Sequence, residues 1–181
     1  PELCHSAQLY DISGDKMRLI LDFPTIGEPH YAAACPANLL MEKSKKIYHL
    51  EDNYHPYAAK SEEETRVTRD GNEVHIYMTM IRSHFAPDNI EGIKIGDKVF
   101  FHVTNLEQDF DIPHGISMMG ANTSELLIMP GQTETFVWEP KKVGVWPFYC
   151  TDFCSALHQE MQGYIRVSPE KSNVEIKWSL D

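Results

Sequence analysis

Residues 66–167 alternate short apolar runs, rich in β-branched and aromatic side chains, with clusters of turn-forming residues. Runs of this length and composition predict β-strands, and the glycines and prolines between them predict turns. The predicted strands cover residues 73–81, 98–105, 124–128, 133–139, 145–149 and 163–167. Six short strands at this spacing predict an all-β fold, either a sandwich or a Greek-key barrel.

Residues 1–65 show a different pattern. Residues 9–23 predict a hairpin, because two apolar runs flank a Ser-Gly-Asp turn. Residues 36–50 predict a short helix from apolar residues at roughly helical spacing. Residues 54–65, with a proline and three consecutive glutamates, predict a linker. The sequence therefore predicts two parts, residues 1–65 and residues 66–181, of which only the second has a core of its own.

The composition indicates a globular protein, with 42% hydrophobic and 24% charged residues. No apolar run approaches the roughly 20 residues that a membrane-spanning helix needs, so we expect no membrane span. The net charge of −11 argues against a nucleic-acid partner, which requires a basic face. An acidic surface would favour encounter with a basic protein partner, although acidity that only maintains solubility explains the charge equally well.

The residues with the most distinctive chemistry lie between Cys150 and Met161. Cys154 follows Cys150 by four residues, His158 follows after four more, and Met161 after a further three. Thiolate, imidazole and thioether are soft ligands, which favour copper or zinc over calcium or magnesium. Two thiolates this close can each bridge a pair of copper ions, an arrangement that needs a second histidine. The candidate is His114, in a Pro-His-Gly sequence that predicts a turn.

Other interpretations of the cysteine pair stay open. A disulfide between Cys150 and Cys154 would leave the regular placing of His158 and Met161 unexplained, and zinc has little use for methionine. Two other functions are compatible with the same residues. One is a copper carrier or storage module, which needs an open and exchangeable site. The other is a thiol-disulfide module, which needs one thiol with a depressed pKa and no metal.

The Cys-x3-Cys-x3-His-x2-Met pattern that begins at Cys150, with His114 upstream, resembles the CuA site of cupredoxin domains. Two families carry such a site, cytochrome c oxidase subunit II and nitrous-oxide reductase. The loop at residues 155–163 and the tract at residues 23–30 are similar to the nitrous-oxide reductase family. An oxidase subunit II should also show two membrane helices before the cupredoxin domain, and no such segment is present in the sequence.

The resemblance implies a cupredoxin-like Greek-key β-sandwich or barrel over residues 66–181. Residues 1–65 would be the terminal piece of a β-propeller followed by a linker. The whole protein would then be an enzyme that reduces N2O to N2 and water at a copper-sulfide cluster called CuZ. The resemblance also allows a calcium ion in the full-length enzyme. The implied donor is a c-type cytochrome or a small cupredoxin, the implied assembly is a homodimer, and the implied location is the periplasm or the outer face of the membrane.

The resemblance also implies a role for each ligand of the copper pair. Cys150 and Cys154 would bridge both copper ions as thiolates, and His114 and Met161 would complete one of the two ions. No general acid or base is implied in this part of the chain, since electron transfer needs none.

The second copper ion would be completed by His158 and by the backbone carbonyl of Asp152. Many members of the family have tryptophan at this position, but a carbonyl ligand does not depend on the side chain. His30, in a Gly-Glu-Pro-His sequence, matches the last propeller histidine that binds CuZ.

Other histidines and cysteines are expected to be structural. His75 and His102 lie in predicted strands and are expected to be partnered histidines. Cys4 and Cys35 are expected to act as small buried hydrophobic residues.

Overall fold

The computed structural model describes residues 6–11, 13–24, 49–109, 112–119 and 125–180. Most of the regular structure within these ranges is β-strand. In chain order the strands are β1 Ser6–Asp11, β2 Arg18–Pro24, β3 Arg66–Asp70, β4 Glu73–Ile81, β5 His84–Ala86, β6 Asn89–Lys94, β7 Lys98–Asn105, β8 His114–Met118, β9 Leu126–Ile128, β10 Thr133–Trp138, β11 Gly144–Cys150, β12 Gln162–Ser168 and β13 Lys177–Ser179. Single-turn 3-10 helices occupy Leu50–Asp52, Glu62–Glu64 and His158–Glu160.

Packing divides the chain into two compact units, residues 1–45 and residues 46–181. The described part of the first unit is the antiparallel hairpin of β1 and β2. At its turn the carboxylate of Asp11 accepts hydrogen bonds from the backbone N–H of Ser13 at 2.9 Å and from the guanidinium of Arg18 at 3.0 Å. The hairpin predicted from the sequence is confirmed.

The second unit is a sandwich of two β-sheets. One sheet has the strand order β10-β7-β4-β3, with β5 paired to β4, and the other has the order β13-β6-β12-β11-β8-β9. Neighbouring strands are antiparallel except for β4 with β7 and β6 with β12, which are parallel. Parallel neighbours need crossover connections, so the chain passes between the two sheets instead of running as a simple meander. The predicted two-sheet, all-β architecture is confirmed.

The inner faces of the two sheets form one core, because apolar residues alternate along the central strands. In β4 the alternating residues Val74, Ile76 and Met78 are fully buried. Phe101 of β7 stacks on Phe136 of β10 with the ring centroids 4.5 Å apart. The bounds of β4 and β7 coincide with the predicted strands, because both are long runs of strand-forming residues between clear turns.

The sequence patterns did not predict five strands of the second unit, namely β3, β5, β6, β8 and β13. Two of these, β3 and β13, lie at sheet edges, where polar side chains are tolerated. Strand β5 has only three residues, too few to show alternation. Such strands form because a neighbouring strand pairs with them, which is a property of the assembled sheet.

Residues 49–65 pack against the outer face of the five-stranded sheet. The backbone N–H of Ala59 donates to the hydroxyl of Thr104 at 3.2 Å. The ring of Tyr57 stacks on His102 with the centroids 4.2 Å apart. Part of the predicted linker is therefore attached to the sandwich, and the predicted domain division after residue 65 stays a prediction.

Several further expectations have a structural outcome. Nδ1 of His75 and Nε2 of His102 lie 2.9 Å apart, so these two are partnered histidines as predicted. Cys4, Cys35 and most of the helix predicted over residues 36–50 lie outside the described residues. Among the described residues, no helix combines the length and apolar composition that crossing a bilayer requires.

Candidate metal centre

The cysteine loop, residues 151–161, connects β11 to β12 at one end of the sandwich. Cys150 is the last residue of β11, and its backbone N–H donates to the carbonyl of Met161 at 3.0 Å. The next N–H, that of Thr151, donates to the carbonyl of Gly115 in β8 at 3.2 Å. These two backbone hydrogen bonds close the base of the loop and attach it to the neighbouring strand.

His114 is the first residue of β8, beside the base of the cysteine loop. The turn predicted at this position is wrong, because His114 pairs with Ile128 of β9 and β8 also pairs with β11. Close packing here depends on the next residue, since a side chain at Gly115 would overlap the hydroxyl of Thr151. His114 is fully buried, and its Nδ1 lies 3.7 Å from the sulfur of Cys150.

The other half of the centre is built within the cysteine loop itself. The 3-10 turn at its end places Nδ1 of His158 at 3.8 Å from the sulfur of Cys154. The thioether sulfur of Met161 also lies 3.8 Å from the Cys154 sulfur. Each cysteine sulfur therefore has an imidazole nitrogen as a neighbour.

The two halves meet at the cysteines. The reactive atoms of His114, Cys150 and Cys154 lie within 4.8 Å of one another. The backbone carbonyl oxygen of Asp152 lies 3.3 Å from the Cys150 sulfur. The structure thus brings together all six positions that the resemblance implies as ligands. His30 lies outside the described residues.

Burial keeps both thiols protonated in the metal-free protein. Burial raises the pKa of Cys150 from 9.0 to about 12 and also raises the pKa of Cys154. Burial lowers the pKa of His114, although the neighbouring Glu107 carboxylate opposes this effect. The imidazole is therefore neutral and keeps one nitrogen lone pair. A bound metal ion would reverse the protonation of the thiols, because coordination favours the thiolate.

Glu107, which no sequence pattern indicated, contacts the proposed ligand His114. Glu107 is 5% exposed, and its Oε1 lies 3.1 Å from Nε2 of His114. An ionised carboxylate only accepts, so His114 donates from Nε2 and leaves Nδ1 available for a metal. Arg82 forms an ion pair with the same carboxylate at 3.1 Å. A glutamate just past a strand usually indicates a solvated loop, which is why the sequence did not reveal this role.

The donor set of the centre is soft. It comprises two thiols, two imidazole nitrogens, a thioether and a backbone carbonyl. Cysteine and histidine suit both copper and zinc, whereas a thioether suits copper and is rarely a zinc ligand. A cleft of about 460 Å³ opens beside Cys150, His158 and Met161. The residues present therefore fit copper, and one side of the centre is accessible.

Comparisons with known proteins agree with this chemistry. A sequence model described as the nitrous oxide reductase propeller repeat matches residues 1–30. The nitrous-oxide reductase of Stutzerimonas stutzeri is 36% identical over 173 residues, which cover 90% of this chain and 26% of that protein. This chain is related to the nitrous-oxide reductases. It spans about a quarter of the length of these relatives, and the relatives are oxidoreductases by name.

Similarity to oxidases is weaker but extends to the fold. Cytochrome c oxidase subunit 2 of Thermus thermophilus is 27% identical over 96 residues, which cover 53% of this chain and 67% of that protein. A chain of a heme-copper terminal oxidase dimer, solved by cryo-EM, aligns with a TM-score of 0.50 and 23% identity over 57% of this chain and 71% of that chain. The predicted fold class is confirmed: a cupredoxin-like β-sandwich follows a segment that matches a propeller repeat.

Proposed function

We propose that the sandwich holds a binuclear copper centre of the CuA kind and transfers electrons. This proposal depends on two neighbouring, buried cysteine sulfurs, each of which has an imidazole nitrogen close by. The distances are 3.7 Å from Cys150 to His114 and 3.8 Å from Cys154 to His158. The relation to nitrous-oxide reductases and to an oxidase subunit 2 supports it.

In this proposal the thiolates of Cys150 and Cys154 would hold the copper pair. His114 and Met161 would be further ligands on one side of it. They come from different segments, the start of β8 and the end of the cysteine loop. The centre can therefore form only when the two segments are packed together.

On the other side, His158 and the backbone carbonyl of Asp152, both within the cysteine loop, would be the further ligands. Asp152 would contribute only its backbone carbonyl, so its side chain is not needed as a ligand. Asp152 is half-buried. The aspartate in place of the family's frequent tryptophan is therefore compatible with copper binding.

A rigid and buried ligand set suits electron transfer. When bound, the copper pair would take up and release one electron that is spread over both ions. The chain contributes by limiting movement: His114 is 0%, Met161 1% and Cys150 4% exposed, and backbone hydrogen bonds close the base of the loop that ends at Met161. Ligands that move little contribute little reorganisation energy.

For the whole protein, we propose a nitrous-oxide reductase that reduces N2O to N2 and water. The CuA domain would supply electrons to a CuZ copper-sulfide centre, with His30 as one of its ligands and calcium in the full-length enzyme. A c-type cytochrome or small cupredoxin would be the donor, the assembly would be a homodimer, and the location would be the periplasm. The propeller-repeat match at residues 1–30 supports this reading.

Two other functions are weaker. An oxidase subunit II-like domain would use the same copper centre, but the identity to the oxidase subunit covers 53% of this chain against 90% for the reductase. A copper carrier needs ligands that exchange readily, and the almost complete burial of His114 and Met161 argues against exchange.

An electron paramagnetic resonance spectrum of the copper-loaded chain tests the proposal. We expect a hyperfine pattern shared by two equivalent copper nuclei. His158→Gln should destroy the equivalence, while His75→Gln, a matched change on the outer face of β4, should leave the spectrum unchanged. A single-copper pattern, or preferential loading with zinc, would contradict the copper pair.

Copper release to a chelator separates electron transfer from metal delivery. Slow release from the reduced, native chain is expected of an electron-transfer centre, because His114, both cysteines and Met161 are buried. Rapid release under the same conditions would favour the carrier.

A further inference from the structure

The turn between β4 and β5 reaches both halves of the metal centre. It consists of Arg82 and Ser83, between the last residue of β4 and the first residue of β5. Neither residue is among the proposed ligands. Arg82 contacts the carboxylate behind His114, and Ser83 contacts the cysteine loop.

Arg82 holds the Glu107 carboxylate at both oxygens. Its backbone N–H donates to Oε1 at 2.8 Å and its Nε donates to the same oxygen at 3.1 Å. Its Nη2 lies 3.1 Å from Oε2 of Glu107 and 2.6 Å from Oδ2 of Asp109. With three donors from one residue, the carboxylate is fixed in position and its charge is compensated.

Glu107 in turn determines how His114 faces the centre. Its Oε1 accepts the proton of His114 Nε2 at 3.1 Å. Its own backbone N–H donates to the side-chain carbonyl of Asn105 at 2.9 Å, and Asn105 is fully buried. With Nε2 engaged in this way, Nδ1 is the nitrogen that faces the Cys150 sulfur.

Ser83 fixes the cysteine loop at the start of its final turn. The hydroxyls of Ser83 and Ser155 lie 2.8 Å apart. Ser155 directly follows Cys154, and its carbonyl accepts the backbone N–H of His158 at 3.0 Å. A shift of Ser155 would therefore be transmitted to both Cys154 and His158.

We propose that the turn at Arg82 and Ser83 positions both ligand-bearing segments of the metal centre at once. Arg82 acts on β8 through the Glu107 carboxylate, and Ser83 acts on the cysteine loop through a hydroxyl pair. The inference rests on the proposed copper centre. Because the two segments belong to different parts of the chain, a shared support outside both of them keeps their spacing constant.

Arg82 is charged and Ser83 is not, so the effects of substituting each residue can be separated. Arg82 compensates the buried charge of Glu107. Without Arg82 the negative charge of Glu107 would be uncompensated beside His114. This charge would favour the oxidised metal and lower the midpoint potential of the centre. Ser83 is uncharged, so its removal would loosen the loop without this electrostatic effect.

The experiment compares copper-loaded Arg82→Gln, Arg82→Lys and Ser83→Ala chains with the wild type. Arg166→Gln is the matched control, since Arg166 is an exposed arginine of β12 whose ion-pair partner, Glu91, lies at 3.7 Å. Three quantities are measured: the nitrogen hyperfine coupling of the histidine ligands, the midpoint potential, and the rate of copper release to a chelator.

We expect Arg82→Gln to keep the two-copper pattern, change the coupling of one histidine nitrogen, lower the potential, and release copper roughly 10–100-fold faster. Arg82→Lys should recover the potential but not the slow release, because lysine keeps the charge and loses the forked contact. Ser83→Ala should speed release with an unchanged potential. The control should match the wild type in all three.

This inference is overturned if the wild type shows the two-copper pattern and Arg82→Gln leaves both the histidine nitrogen coupling and the midpoint potential unchanged. If the wild type lacks the two-copper pattern, the proposed function is overturned instead. Circular dichroism establishes folding. Should Arg82→Gln not fold, Arg82→Lys decides alone: faster release than the wild type supports the positioning role, and equal release overturns it.

Discussion

Gly115 directly follows the proposed ligand His114, and a β-carbon at this position would overlap the Thr151 hydroxyl and lie 3.0 Å from Oε1 of Glu125. That hydroxyl donates to Glu125 at 2.6 Å, while the Thr151 N–H donates to the Gly115 carbonyl at 3.2 Å. Thr151 therefore cannot move away without breaking the hydrogen bonds that attach the cysteine loop to β8 and to Glu125, just before β9.

We expect Gly115→Ala to lower the free energy of unfolding by about 1–3 kcal/mol, because the added methyl group overpacks this contact. Urea unfolding measures the change. Gly14→Ala is the control, since a β-carbon there meets nothing within 4 Å. In a Thr151→Ala background the same substitution at Gly115 should be much less destabilising. An equal loss in both backgrounds would show that the hydroxyl is not the obstacle.

At the scale of elements, the outer face of the five-stranded sheet contains a chain of polar contacts centred on the buried His102. His102 of β7 lies between His75 of β4, with ring nitrogens 2.9 Å apart, and the hydroxyl of Thr135 of β10 at 2.8 Å. Tyr57 covers His102 from the segment at residues 49–65. Burial, and then the neighbouring His75, lowers the pKa of His102 from 6.5 to about 4.

This pKa shift predicts a loss of stability in acid. The folded state keeps His102 neutral, whereas the unfolded chain binds a proton as the pH falls below 6.5. Stability is thus fully present above pH 6.5 and is lost as the pH falls towards about 4. Urea unfolding at about pH 7.5 and about pH 4.5 measures the free energy of unfolding. Between these two pH values His102→Gln should lose about 2 kcal/mol less of it than the wild type loses.

The half-buried His84 provides the control for this measurement. Its side chain is 40% exposed, and its Nε2 lies 2.7 Å from a Glu62 carboxylate oxygen. His84→Gln should keep the acid sensitivity of the wild type. If His102→Gln and His84→Gln lose the same stability, the acid sensitivity comes from other groups.

Elements differ in how far their own sequence predicts them. Strands β4 and β7 were predicted to the residue, because each is a long run that one strand can satisfy alone. Strand β8 was predicted as a turn from its Pro-His-Gly start. It is a strand because β9 and β11 pair with it on both sides, which no local pattern records.

At the scale of the whole molecule, the end that carries the metal centre combines apolar and acidic exposure. Phe153 is 54% and Leu157 60% exposed on the cysteine loop. The side chain of Asp109, which forms an ion pair with Arg82 at 2.6 Å, is 61% exposed, and Glu160 at the end of the cysteine loop is also exposed. With a net charge of −11, this surface suits a donor whose contact face is apolar at its centre and basic at its rim.

We expect electron transfer from a basic c-type cytochrome to slow by roughly tenfold or more as salt screens the attraction. Stopped-flow mixing over a range of ionic strengths measures the rate. Glu160→Lys should reduce the rate at low salt, whereas Glu73→Lys, an exposed change at the opposite end of β4, should affect it less. Equal effects of the two changes would mean that overall charge matters and the metal-end surface does not.

The sequence by itself determined the chemistry: Cys150, Cys154, His158 and Met161 lie close together in the chain, so their local order was enough to indicate a soft metal site. It also determined the all-β class, because short runs of β-branched and aromatic residues are separated by turn-forming residues. Only the tertiary structure decided that His114 is a strand residue facing Cys150, that Glu107 holds it from behind, and that one turn supports both halves of the centre. These contacts join residues distant in the chain, and they exist only after the two sheets have packed.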